Sequence, residues 1–167
     1  MREVPPGEAI ARKYPEWVLW VITADAEGRP NIMPAGWVMI CNAKPLMLAV
    51  AVGFGRHTHA CLEETGEFVL AWPGVGQEAL IGQLGSCSGR DVDKFARFGL
   101  KALPARHVAA PLVDGCAAAF ECAVVSQVEL EDHSVFIGEV VTAHVADPPV
   151  EKLDNFNGRF AVAQPRD

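Results

Sequence analysis

Asn31-Ile32-Met33-Pro34-Ala35-Gly36-Trp37, followed by Leu46-Met47-Leu48-Ala49-Val50-Ala51-Val52-Gly53-Phe54-Gly55-Arg56-His57-Thr58, decides how the chain folds. It reads as a strand, a turn at Lys44-Pro45, a second strand, and a helix start that carries a cation and a hydroxyl. That order can set a flat ligand against backbone amides and a phosphate at a helix N-terminus, where unpaired N–H groups meet the positive end of the helix dipole. Working outward, Trp17 to Thr23 is rich in β-branched and aromatic residues and predicts a strand. Asp25-Ala26-Glu27-Gly28-Arg29-Pro30 supplies a turn, and Ile32 to Ile40 reads as the hairpin partner. Leu46 to Val52 is apolar on both faces, as a buried strand would be.

Thr58 predicts an N-cap, with a helix from about His59 to Thr65 and Gly66 just past its end. Glu67 to Trp72 returns as a strand stopped by Pro73-Gly74, and Gln77 to Leu84 reads as a short helix. Ser88 with Asp91 forms a variant capping box for a helix from Asp91 to Phe98, which Gly99 ends. Phe120 to Leu130 alternates apolar and polar residues, Glu131-Asp132 turns, and His133 to Val145 is a long strand with Gly138 as a bulge or close-approach point. Long strands in hairpin order with short helices between them favour an antiparallel barrel or sandwich over βαβ units.

A length of 167 residues predicts one domain, residues 1–167, with a sizeable core. The net charge of −7 argues against broad nucleic-acid binding, which needs a basic face, but leaves room for a small anion held by local cations and amides. No stretch is long enough to span a bilayer, and Met1-Arg2-Glu3-Val4-Pro5-Pro6 lacks the apolar core of a signal peptide, so a cytoplasmic protein is expected. Cys41, Cys61, Cys87, Cys116 and Cys122 are odd in number without a C-x-x-C pair, so reduced thiols and no metal are expected. His57 and His59, two apart at a helix start, point in different directions.

Three constellations could carry chemistry. Arg56-His57-Thr58 combines a cation, a hydroxyl and a helix start, which suits a phosphate dianion; equally, Thr58 could only cap its helix while Arg56 is solvated. In Asn31 to Trp37, alternation sends Asn31, Met33, Ala35 and Trp37 to one side and Ile32, Pro34 and Gly36 to the other. Ala35 and Gly36 would let a ring approach the backbone, and Pro34 predicts an edge or bulge. Alternatively this is a core hairpin strand and Trp37 a core residue. Gly85-Ser86-Cys87-Ser88-Gly89 fits a cysteine version of the nucleophile elbow, and Asp114 and His133 follow in the order a Cys-Asp-His hydrolase requires. An elbow must lie between a strand and a helix, however, and Gln77 to Leu84 looks helical. Gly53-Phe54-Gly55-Arg56-His57-Thr58 has two of the three glycines of a dinucleotide fingerprint, a weak match.

The segment Ser88-Gly89-Arg90-Asp91-Val92-Asp93-Lys94-Phe95, with the N-x-M-x-A-x-W strand at Asn31–Trp37 and the Asp132-His133 pair, resembles the flavin reductase-like, FMN-binding split-barrel family, of which the flavoredoxins are one branch. The resemblance runs from about Tyr14 to Val145. It implies a mainly β fold: a six-stranded antiparallel Greek-key split barrel with short peripheral helices, assembled as a homodimer with FMN near the interface. It also implies that Arg56 and Thr58 bind the FMN phosphate and that Asn31, Met33, Pro34, Ala35, Gly36 and Trp37 border the flavin. Val50 and Val52 belong to the same cofactor wall, and Cys87, Ser88 and Lys94 lie in a loop over the ring. His133 would orient a nicotinamide carboxamide or relay a proton, with local hydrogen bonding at the turn as the plainer role. The implied activity is NAD(P)H-dependent reduction of flavin, with an FMN electron carrier as the alternative. The chain departs from the family at its C-terminus, where Phe156-Asn157-Gly158-Arg159-Phe160 leads quickly to Pro165-Arg166-Asp167.

Overall fold

Residues 19–24 are buried along their whole length, so their strand must be covered on both faces, and the rest of the architecture follows from that. A computed structural model describes residues 1–164; the C-terminal Pro165-Arg166-Asp167 lies outside the described residues. In chain order the elements are α1 (Pro6–Ile10), β1 (Glu16–Trp17), β2 (Leu19–Ala24), β3 (Pro30–Ala35), β4 (Val38–Ala43), β5 (Leu46–Gly53), α2 (His57–Thr65), β6 (Glu67–Pro73), α3 (Glu78–Gly85), α4 (Lys94–Phe98), β7 (Ala102–Leu103), β8 (Leu112–Val113), β9 (Cys116–Glu129), β10 (His133–Val145), β11 (Asp154–Asn155) and β12 (Phe160–Ala161). The principal sheet has seven strands in the order β3-β2-β6-β9-β10-β5-β4, every neighbouring pair antiparallel.

β3 and β4 are consecutive in the chain yet lie at opposite ends of that order. Only Gly36 and Trp37 join them, and so short a link spans about 10 Å. The sheet must therefore roll up until its two edges meet, leaving a seam where they are not paired: a split barrel. This corrects the strand count. The single strand expected over Ile32–Ile40 is two strands, which turns six into seven. Gly36 sits tightly at the joint: a Cβ there would lie 3.1 Å from Glu16 Oε1, which would have to shift.

The barrel interior is filled by Leu19, Val21, Leu48, Val50, Val52, Leu62, Phe68, Leu70, Cys122 and Phe136. A second core lies outside β2, β3 and β6, where Trp20, Ile22, Ile32, Val69 and Ala71 meet Ile81, Leu84 and Phe95 of α3 and α4. β5 is expected to be apolar and buried on both faces; Leu48, Val50 and Val52 on the inner face and Ala49 on the outer are buried, whereas Met47, Ala51 and Gly53 remain partly accessible. Gly138, expected as a bulge or close-approach point, is a close-approach point: a Cβ there would lie 2.5 Å from Phe68 Cζ, and the register shift beside it skips Val125 of β9.

Helix boundaries differ from expectation at two starts. α2 begins at His57 with extended Arg56 as N-cap, so Thr58 is inside the first turn and caps nothing. α4 begins only at Lys94, capped by Asp93, whose carboxylate accepts from the Ala96 N–H at 3.0 Å. Ser88 instead forms a turn, its hydroxyl accepting from the Arg90 N–H at 3.2 Å. Gly66 and Gly99 end α2 and α4 in the left-handed conformation that favours glycine.

Candidate functional site

A cleft of about 580 Å³ opens between β3, the end of β5 and the start of α2. One wall is β3 and the joint, Asn31 and Met33 to Trp37. The second wall is the end of β5 and the start of α2: Ala51, Gly53, Gly55, Arg56, His57 and Thr58. The loop after α3 (Leu84 to Gly89), Lys94 and His133 complete the lining. Every residue expected at a ligand site except Val50 and Val52 lines this one cleft.

Val50 and Val52 are corrected. Both are fully buried in the barrel interior, because side chains alternate and the core takes this parity of β5. The neighbours Ala51 and Gly53 face the cleft instead. Small side chains there let a planar ligand approach the strand backbone. Gly53 has a second reason to be glycine: a Cβ would lie 3.3 Å from His133 Nε2, so the imidazole rests directly over the strand.

The α2 end of the cleft is electropositive. The helix has no side-chain cap and no acidic residue in its first turn, and its first residues, His57 and Thr58, line the cleft. Arg56 is exposed, and no acceptor among the described residues takes its guanidinium. Thr58 is buried, with Oγ1 accepting from Asn31 Nδ2 at 2.8 Å. Burial, then the Arg90 charge, holds the His57 imidazole below its ordinary pKa of 6.5. Arg90 clamps the two sides together, Nη1 donating to Gly55 O at 2.8 Å.

Lys94 has a structural part that its sequence position did not reveal. Its buried ammonium donates to Ile32 O at 2.9 Å and Leu84 O at 2.8 Å, tying α4 to β3 and to the end of α3. One N–H of three is left for the cleft it lines. Burial lowers its pKa, opposed by Cys87 and reinforced by Arg56.

At the other end, His133 and Trp37 pack together with ring centroids 5.0 Å apart and planes tilted by 38°. His133 Nδ1 contacts Asp132 Oδ1 at 2.7 Å, which leaves Nε2 toward β5 and the cleft. The hydrolase arrangement is not assembled. Cys87 follows a helix rather than a strand, its Sγ donating to Gln83 O at 3.7 Å. Asp114 pairs with Lys101 at 2.9 Å and borders a separate cleft of about 350 Å³.

Residues that sequence reasoning missed are Ala51, Gly53, Gly55, His57, the α3 end and Gly89. A Cβ at Gly89 would lie 2.2 Å from Asn31 Oδ1 and 2.8 Å from His57 Cδ2, so the loop closes directly on the β3 wall. The glycine spacing Gly53-Phe54-Gly55 was the available signal.

The family model for the flavin reductase like domain matches residues 11–164. An uncharacterised protein of Archaeoglobus fulgidus is 33% identical over 134 residues, which cover 80% of this chain and 76% of that protein. The flavoredoxin of Desulfovibrio vulgaris (Miyazaki F) superposes with a TM-score of 0.83 at 29% identity, covering 99% of this chain and 95% of that one. An NADH:FAD oxidoreductase of Streptomyces globisporus superposes with a TM-score of 0.84 at 25% identity, covering 99% of each chain.

Proposed function

The chain belongs to the flavin reductase-like family, and we propose that its cleft holds FMN and that the protein is an NAD(P)H-dependent flavin reductase. The observation that carries the reading is the cleft's polarity. One end offers Arg56, the Thr58 hydroxyl and the uncapped start of α2 to a dianion. The other offers small-residue backbone and the tilted Trp37–His133 pair to a flat ring. The volume fits, since small-molecule sites run to about 300–1,000 Å³.

When bound, the flavin supplies a ring that accepts hydride at N5 from the nicotinamide. The chain's own residues bind and align. Arg56 and Thr58 hold the phosphate, the loop carrying Cys87 and Ser88 covers the ring, and the remaining Lys94 N–H offsets negative charge at the ring edge. His133 Nε2 orients the nicotinamide carboxamide, its tautomer fixed by Asp132. No dinucleotide fingerprint is needed if the nicotinamide stacks on the flavin.

A second reading, an FMN electron carrier inert to nicotinamide, is favoured by the likeness to a flavoredoxin. The visible spectrum of the purified protein, then NADH and NADPH consumption with added FMN, separates the two. Flavin absorbance with nucleotide oxidation supports the reductase. A yellow protein inert to both nucleotides supports the carrier. A protein that takes up no FMN ends both.

The assembly that accompanies this reading is a homodimer with FMN near the interface. Pairing places Met39, Ala49 and Ile137 in one row on the outer face of the sheet and Ala51, Val135 and Val128 in the next. Ala51 also lines the cleft, so a partner on this face would reach the flavin. The proposed setting is a single-domain protein of the cytoplasm; no described helix is long and apolar enough to cross a membrane.

A further inference from the structure

Asn31 lines the cleft, but its amide is engaged elsewhere. Nδ2 donates to Thr58 Oγ1 at 2.8 Å and to Thr23 Oγ1 at 3.2 Å, which uses both of its protons. Asn31, Thr58 and Thr23 are 3%, 2% and 0% exposed, so no solvent competes for these bonds.

Thr58 Oγ1, having accepted from Asn31, still carries one proton. Elsewhere on the same helix, Thr65 gives its hydroxyl proton back to Cys61 O at 2.9 Å. Thr58 makes no such bond among the described residues, and it borders the cleft. Gly89 packs against the far side of Asn31, where a Cβ would be 2.2 Å from Oδ1. The asparagine is thus held between the loop and the helix and cannot turn away.

We propose that Asn31 is a positioning residue that steers the Thr58 hydroxyl proton into the cleft, which makes the site favour a phosphorylated flavin over riboflavin. A hydroxyl free to rotate presents its proton in any direction; one that accepts a buried N–H has its proton steered away from that N–H and toward the cleft, which suits a phosphate oxygen. The inference rests on the FMN reading above.

The test is a fluorescence titration of flavin-stripped protein with FMN and with riboflavin. Asn31→Ala and Thr58→Val should each lower FMN affinity about tenfold, the scale of one hydrogen bond to a charged group, with riboflavin affinity within about twofold of wild type. The double variant should bind FMN no worse than Thr58→Val alone, because Asn31 acts through Thr58. Asn31→Asp keeps the volume, takes the Thr58 proton and adds a negative charge, so it should lose FMN more steeply while holding riboflavin; it decides the question if Asn31→Ala does not fold. Thr58→Ser should keep the FMN preference. Equal losses for FMN and riboflavin in the Asn31 variants, or losses that multiply in the double variant, overturn the proposal. A wild-type protein that binds neither flavin overturns the FMN reading itself, which is a different outcome.

Discussion

Arg56 is the residue on which the phosphate end of the cleft turns, since it is the exposed cation at an uncapped helix start. Arg56→Ala should weaken FMN binding by about 1–3 kcal/mol, the scale of a charge-assisted hydrogen bond, read by equilibrium titration. Unchanged affinity would move the phosphate elsewhere. His57, its pKa held below 6.5 by burial and then by Arg90, links the same site to pH. Between its folded pKa and 6.5 the unfolded chain binds the extra proton, so stability rises with pH through that window and is lost as pH falls below 6.5. Urea midpoints measured across that window should slope upward with pH, and the slope should flatten in His57→Gln; an identical slope in the variant would assign the titration to another group. Most of this site is legible in the sequence because its residues are local runs with local signals: a helix start, a turn loop, a strand of small residues. Val50 and Val52 were not separable from Ala51 and Gly53, because both faces of that strand are apolar and alternation does not say which faces the core. The anchoring of Lys94 to Ile32 O and Leu84 O depends on contacts far apart in sequence, which no local pattern encodes.

At the level of elements, two features hold the scaffold beneath the cleft. In β10, Gly138 lets Phe68 pack against the strand; a Cβ there would sit 2.5 Å from Phe68 Cζ and 2.9 Å from Cys122 Cβ. Gly138→Ala should cost about 1–3 kcal/mol by overpacking, seen as a lower denaturant midpoint, and a neutral result would mean that the barrel interior can yield. In β9, the fully buried Glu121 carboxylate gathers the loop before β8. It accepts from the N–H groups of Arg106 at 2.9 Å, His107 at 2.6 Å and Val108 at 3.2 Å, and meets His144 Nε2 at 2.7 Å. Burial raises its pKa, but the Arg106 N–H, His144 and the His107 N–H together bring it below 4.5. Stability from this carboxylate is present above 4.5 and lost as pH falls through the folded pKa. Glu121→Gln should cost about 1–3 kcal/mol and release the Arg106–Val108 amides to hydrogen exchange; protected amides in the variant would show that the loop is held by other contacts. The long strands β9 and β10 are readable from alternation, and His133–Val145 is read to the residue. The break at Gly36-Trp37 is not, because Ile32–Ile40 is continuously strand-like and its division depends on which distant strands pair with each half. Thr58 and Ser88 are good cap residues by type, but the chain satisfies them through Asn31 and a local turn.

For the whole molecule, the unanswered question of packing is the outer face of β4, β5, β10 and β9. α3 and α4 lie against β3, and α2 against β2, β3 and β5 with Leu62 in the barrel interior, so among the described residues no helix packs chiefly on β4, β9 or β10. Its two outward rows, Met39-Ala49-Ile137 and Ala51-Val135-Val128, are apolar, and Met39 and Val128 are 57% and 47% exposed. An apolar sheet face bordered by the open edge strand β4 is a liability unless another surface covers it. In the proposed homodimer a second copy related by a two-fold axis would cover it with the same residues, and a stable pair needs about 800 Å² from each partner. Because Ala51 belongs both to this face and to the cleft wall, dimerisation and flavin binding should be linked. Sedimentation equilibrium should therefore give a dimer, and the double variant Met39→Lys with Val128→Lys should give a folded monomer whose FMN affinity falls together with its self-association. A wild-type monomer at micromolar concentration would remove the dimer from the reading, whereas a monomeric variant with undiminished FMN affinity would separate the interface from the site.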